Sequence, residues 1–421
     1  MHKTWHFYQK YRWLTVVFGL VFVILLGQQM LYHSLPDSIY MGVDDPIPNF
    51  DVPVTLKKTA TKDTAAFSNT RKKSVCTQPA ESYICRLFGL IPIKEITVSH
   101  TADVQVIPGG IPVGIYAQTD GVMIIGQGEV TAADGQSYLP AEHLLQAGDY
   151  ITALDGTPIH EKEEIQQFLS DYTQKQNAPS GVYGTPITIH LIRDKEELDV
   201  SVPAVANADG NYQLGIWVRD DLAGVGTLTC MLHNKDYTAL GHCVSDYDTN
   251  QMLHLSIGKL YRIQIVDIVK GRAGTPGELT GIIDYASKYC LGDVKRNSKS
   301  GIIGTLQQIP RELQDTAPVS ISRKQEIKKG PAEILSYVDG KKQSYSIMIT
   351  DVDYQSNQEK DILFQVTDPA LIQKTGGIVQ GMSGSPILQN GHLIGAVTHV
   401  FIRDPEKGYG IFIEDMLPSA S

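Results

Sequence analysis

The chain has 421 residues, of which 42% are hydrophobic, with a formal net charge of −10 and five cysteines. That apolar content supplies core for more than one domain and excludes a disordered chain, while the acidic balance excludes a general nucleic-acid binder, since the only dense basic run is Arg71-Lys72-Lys73. Cys76, Cys85, Cys230, Cys243 and Cys290 are too few and too scattered for a disulfide-dense scaffold, and none shows metal-ligand spacing, so neither a metal nor another cofactor is expected.

The first predicted element is a membrane anchor over residues 1–32. Trp13 to Leu26 carries no charge and follows Lys3, Lys10 and Arg12. Extended to Tyr32, the stretch reaches the ~20 residues that a spanning helix needs. Bulky Gln28, Gln29, Met30 and Leu31 follow in place of a small-x-small cleavage site, which favours an uncleaved anchor over a signal peptide. The basic end is expected in the cytoplasm and the rest of the chain outside it.

Residues 33–98 read as a linker, with Pro36, Pro46, Pro48 and Pro53 ahead of a Thr-, Ser- and Lys-rich stretch. Such a segment is a natural place for proteolytic cutting. Within it, Cys76 and Cys85 could close a short loop in an oxidising compartment or stay independent thiols.

Residues 99–206 alternate strand-like runs with glycine turns and hold one helix candidate, Lys162 to Tyr172, with Ile165, Phe168 and Leu169 as its apolar stripe. Gly109-Gly110-Ile111-Pro112-Val113-Gly114-Ile115 and the Leu145 to Gly156 segment look like the carboxylate-binding loop and a core turn of a PDZ domain. In that reading the amides of Val113, Gly114 and Ile115 receive a peptide or C-terminus added as an extra strand, and Pro112 offers none.

Residues 207–421 show short β-rich runs punctuated by Gly and Pro: Gly226 to Leu232, Tyr261 to Val269, Glu333 to Val338, Ser344 to Thr350, Ile362 to Val366 and Leu393 to Ile402. The expected fold is mainly β, with the anchor and PDZ domain followed by a double β-barrel, which the similarity of the Gly381 to Pro386 loop to that of trypsin-like peptidases implies is a trypsin-like one. Gly381-Met382-Ser383-Gly384-Ser385-Pro386 has the small residues that let a backbone turn sharply around a nucleophile. Ala239-Leu240-Gly241-His242-Cys243, upstream, supplies a base for the serine hydroxyl. The third member should be an acid. Asp368, after an apolar run and before Pro369, is favoured over Asp351, Asp353 and Asp361; Asp246 could reach His242 if that segment were helical. Ser385 competes with Ser383 as nucleophile, and His254 and His399 with His242 as base.

Leu240-Gly241-His242, Pro276-Gly277-Glu278-Leu279-Thr280-Gly281 and Gln380 to Ile387, in this order along the chain, resemble the stage IV sporulation protein B serine peptidases of endospore-forming bacteria. The resemblance implies a triad of His242 as base, Asp368 as orienting acid and Ser383 as nucleophile, with oxyanion amides from Gly381 and Ser383. It also implies a signalling endopeptidase at the forespore membrane, facing the space between the two membranes. Such an enzyme would cut itself and a membrane-held regulator of an intramembrane protease, releasing processing of a late sigma factor. Two other classes stay open: an inactive PDZ adaptor, and a general envelope quality-control protease.

Overall fold

The computed structural model describes residues 2–35, 38–41, 53–59, 81–100, 104–175, 182–354 and 359–417. Cys76 and the Arg71-Lys72-Lys73 run lie outside them. The N-terminal helix α1 (His2–Ser34) has side chains described from Val16 to Tyr32, and Val16, Phe18, Leu20, Phe22 and Ile24 are all exposed. Among the described residues no helix is long and apolar enough to cross a membrane; those side chains begin three residues into the run that starts at Trp13.

The linker expectation needs correcting in part. Ser38–Met41, Val54–Lys58, Glu81–Leu87 and Ile91–His100 form a four-stranded sheet whose core is Leu35, Ile39, Cys85, Ile96 and Val98. Alternation explains it: Tyr83 and Cys85 on one strand and Ile96 and Val98 on the next face the same side. Cys85 is a buried free thiol, and burial pushes its pKa up to about 11.

Further along, the strands are β1 (Gln105–Gln127), β2 (Tyr150–Leu154), β3 (Ile187–Arg193), β4 (Glu196–Val202), β5 (Ile216–Met231), β6 (Asp236–Ala239), β7 (Leu255–Val269), β8 (Gly277–Ile283), β9 (Cys290–Ser298) and β10 (Gly301–Leu306). β1 pairs with β5 along one edge and with β7 along the other, so β1-β5-β6-β10-β9-β7 closes on itself as a six-stranded ring. Its core is built from Val113, Ile115, Leu228, Tyr237, Ala239, Leu260 and Ile302.

A second closed barrel comprises β11 (Gly330–Ser336), β12 (Gln343–Val352), β13 (Ile362–Val366), β15 (Pro386–Gln389), β16 (His392–Phe401) and β17 (Asp404–Phe412), in the order β11-β12-β13-β17-β16-β15. Helix α3 (Pro369–Thr375) and the short strand β14 (Val379–Gln380) lie between β13 and β15. Numbered within each ring, both barrels have the order 1-2-3-6-5-4, which is one barrel plan used twice. Every β-rich run anticipated in this half lies within or overlaps one of these strands.

The 99–206 segment is more entangled with the barrels than its composition suggests. Its first long strand, β1, is the first strand of the first barrel. The remainder folds as an insertion between β1 and β5, with a separate core of Val122, Ile151, Leu154, Ile165, Ile189, Leu191 and Tyr212. Helix α2 (Lys162–Lys175) packs Ile165, Phe168 and Leu169 onto that core, as its stripe predicted. Its N-terminus is tied to β5, where Lys162 Nζ bonds buried Asp220 at 2.7 Å.

This arrangement corrects the peptide-loop expectation. Val113, Gly114 and Ile115 lie mid-strand, opposite Gly226, Val225 and Gly224 of β5 on one side and Arg262, Tyr261 and Leu260 of β7 on the other. A strand paired on both edges has no row of free amides for a carboxylate.

Candidate active site

The Ser383 loop is built by glycine. Gly381 (φ 94°) and Gly384 (φ 96°) hold conformations that L side chains rarely adopt, and together they turn the chain sharply around Met382 and Ser383. Met382 is fully buried in the second barrel's core and pins the loop's inner side. The first barrel grips it from behind: Thr227 Oγ1 donates to the Gly381 carbonyl (2.7 Å), the Thr227 amide to the Ser383 carbonyl (2.9 Å), and Thr229 Oγ1 to the Gly384 carbonyl (2.7 Å). These two threonines were not singled out from sequence; the available signal was two hydroxyls at alternate positions in the buried run Gly226 to Leu232.

The strand β6 ends at Ala239, and Leu240 (φ 72°) and Gly241 (φ 76°) turn the chain so that His242 arrives over the same junction. A Cβ on Gly241 would crowd Thr398 and Ile411 of the second barrel, and one on Gly384 would run into the main chain of Thr227 and Leu240. His242 and Ser383 therefore come from different barrels to the seam between them. Ser383 Oγ donates to the Thr398 carbonyl on β16 at 2.9 Å. His242 Nδ1 bonds the Cys243 carbonyl at 2.9 Å, and its ring centroid lies 5.6 Å from that of His399. No main-chain carbonyl accepts the Ser383 amide among the described residues, which leaves that amide available as an oxyanion donor.

Burial holds both imidazoles neutral. It lowers the pKa of His242 below its ordinary value and, helped by the neighbouring ring and Lys360, brings His399 down to about 4. The sign follows from linkage: the unfolded chain takes up protons near pH 6.5 that these folded imidazoles refuse, so stability falls as pH drops from about 6.5 toward 4. Thermal melts across that window should show Tm falling with acid, and less steeply in His399→Phe.

Asp368 is not brought to His242. Its Oδ1 accepts from the amides of Ala370 (2.9 Å) and Leu371 (3.2 Å), and its Oδ2 from Ser346 (3.3 Å), so it is the N-cap of α3. The register explains the separation. Ile362 pairs with Gly410, and Gly410 with Val397, so the Ser383–Thr398 contact lies beside the start of β13. Asp368 follows the other end of that strand, roughly 15–20 Å further along at ~3.3 Å per residue. An acid ahead of proline is also a helix-start signature, and here that use prevails. Because α3 runs directly into β14 and the nucleophile loop, Asp368→Ala should cost about 1 kcal/mol and loosen the loop. Asp368→Asn, which still caps, should stay nearer the parent in both melting and cleavage.

Of the other acids, Asp246 is fully buried, bonded to Arg219 and to the amides of Asp248 and Thr249, in a segment that is not helical. Asp361 Oδ2 accepts from the Phe412 amide. Asp351 pairs with Lys329 on the surface, and Asp353 donates its amide to the Asp361 carbonyl. Ser385 is fully buried, with its Oγ unpartnered, and is closed to substrate. Among the described residues no group of three or more His, Cys, Asp or Glu is placed to hold a metal ion.

Residues 210–417, which hold the whole second barrel, His242 and Ser383, match the model of the SpoIVB peptidase S55 family. The chain belongs to the SpoIVB S55 peptidases through this segment. Serine peptidase chemistry on a protein substrate is therefore its activity class. No curated protein matches the chain. Among solved structures, the Rv3671c protease in an inactive form is 12% identical over 46% of this chain and 81% of that one, with a TM-score of 0.24. The M. tuberculosis Rv3671c protease in its active form is 13% identical over 48% and 76%, with a TM-score of 0.25. At these scores the likeness carries no structural weight.

The Pro276 to Gly281 motif has a place in the S55 domain. Gly277 and Glu278 of β8 pair in parallel with Val379 and Gln380 of β14, and Leu279 packs under Gly381. The motif thus braces the main chain that leads into the nucleophile loop.

Proposed function

We propose that this SpoIVB S55 peptidase is a membrane-anchored signalling endopeptidase in which Ser383 attacks the scissile carbonyl and His242 takes its proton. The observation that carries this reading is the delivery of His242 and Ser383 from separate barrels to one seam, with the Ser383 amide unengaged. In the reaction, the Ser383 hydroxyl leaves the Thr398 carbonyl for His242 Nε2, and the tetrahedral oxyanion is taken up by the amides of Gly381 and Ser383. Protonated His242 then returns its proton to the leaving amine, and water repeats the sequence on the acyl-enzyme.

The family resemblance adds the setting: sporulation, the forespore membrane, self-cleavage, and a membrane-held regulator of an intramembrane protease as substrate. The apolar side chains from Val16 to Leu26, exposed along α1, support the anchor. The inserted module between β1 and β5 stands where a PDZ domain is expected, and it would deliver or restrain substrate there. One observation favours the adaptor reading instead: Ser383 Oγ is bonded to Thr398 and not to His242. Full-length protein in detergent decides between them. Discrete fragments that appear with Ser383 and vanish in Ser383→Ala support the protease. Intact protein in both, with denatured protein offered as substrate also uncut, favours the adaptor.

A further inference from the structure

The imidazole of a serine peptidase needs its Nδ1 proton fixed so that Nε2 faces the hydroxyl, a task that a carboxylate usually performs. Here the contact is a peptide group. The Cys243 carbonyl accepts from His242 Nδ1 at 2.9 Å, and the amide of the same peptide unit, Val244 N–H, donates to Asn297 Oδ1 at 2.9 Å. Asn297 Nδ2 in turn donates to the carbonyls of Val244 (2.7 Å) and Leu253 (3.1 Å), so one side chain clamps both ends of the 244–253 loop, which begins two residues after His242. Asn297 stands on β9, paired with Ile302 across the turn into β10, on the rigid wall of the first barrel.

We propose that Asn297, acting through the Cys243–Val244 peptide, is the positioning residue that fixes the tautomer and orientation of His242, the task assigned to an orienting acid in a triad. Hydrogen bonds in series through one peptide group polarise one another, so the Asn297 contact strengthens the carbonyl's hold on Nδ1–H. The inference rests on His242 and Ser383 being the reacting pair.

The groups facing His242 are few and can be separated. His399 on β16 is the nearest titratable ring, Lys360 acts on His399, and Cys243 feels Glu359 and Lys299. The Asn297 side chain bonds Val244 and Leu253, so a change made there reaches the base through the Cys243–Val244 peptide.

The test is the rate at which a fluorophosphonate probe labels Ser383 in full-length protein, followed from pH 4 to 9. It is paired with nitrogen NMR of ¹⁵N-histidine-labelled protein to read the His242 tautomer. Asn297→Ala should label about 10- to 100-fold more slowly while still folded, with mixed tautomers at His242. Asn297→Asp keeps an acceptor for Val244 N–H and adds a negative charge, so it should retain the tautomer and move the acidic limb of the rate to higher pH. A purely structural role would lower the melting temperature in both and leave limb and tautomer in place, which overturns the proposal. So would a labelling rate in Asn297→Ala within twofold of the parent. If Asn297→Ala does not fold, the direction of the limb in Asn297→Asp decides alone. Labelling that persists in Ser383→Ala sinks the reading of the reacting pair instead, and is told apart by that variant.

Discussion

Removing either reacting group should abolish cleavage: Ser383→Ala and His242→Ala are each expected to lower turnover by roughly 10⁴-fold or more with the fold intact. Both side chains lie at the seam with part of their surface open, so neither truncation leaves a buried hole. Losses of this size mark groups that act as a unit, and the double variant should be little worse than either single one. The pH profile carries a second signature. Burial holds His242 neutral below the ordinary range, so activity should persist into mildly acidic solution, with its acidic limb below pH 6.5. A measured limb well above that value would mean a charge-stabilised base, as a neighbouring carboxylate would produce.

The second large effect is expected from a residue with no reactive group. Gly384→Ala places a methyl against the Thr227 carbonyl and the Leu240 main chain while φ stays at 96°, so both steric conflict and backbone strain act at one position. The combined cost is roughly 2–4 kcal/mol. The loop relieves it by shifting away from β5, breaking the Thr227 and Thr229 contacts that hold the Ser383 carbonyl and its neighbours. A displacement of about 1 Å at the nucleophile costs on the order of 10²-fold in rate. Gly391→Ala is the matched control, since its φ is also positive but nothing lies near the added methyl. It should lose about 1 kcal/mol and keep its activity.

The parts of this molecule legible in sequence were those with local signatures. Glycines mark the sharp turn around Ser383 and the turn that leads into His242, and the α2 stripe marks a helix that forms where the 3.6-residue period places it. What sequence could not supply was pairing. Val113-Gly114-Ile115 looks like a loop because glycine and proline punctuate it, yet its neighbours Gly224, Val225 and Gly226 lie about a hundred residues away on β5 and make it mid-sheet. The same distance hid the barrel's first strand within a segment that reads as a separate domain. Asp368 shows a different limit. Strand end, acid and proline describe a triad acid and a helix cap equally well, and only the register of β13 against β17 separates them.

The relation of Asn297 to His242 left no mark in the sequence at all. The two are brought together because β6 and β9 flank β10 in one closed ring, a consequence of topology that no motif spacing records.

In the proposed function Ser383, served by His242, is the nucleophile of this S55 peptidase. The most direct measurement is labelling of full-length protein with a fluorophosphonate, followed by peptide mass spectrometry to locate the adduct. A single adduct on Ser383 that disappears in His242→Ala is expected. An adduct on Ser385, or labelling of Ser383 that is indifferent to His242, would contradict it.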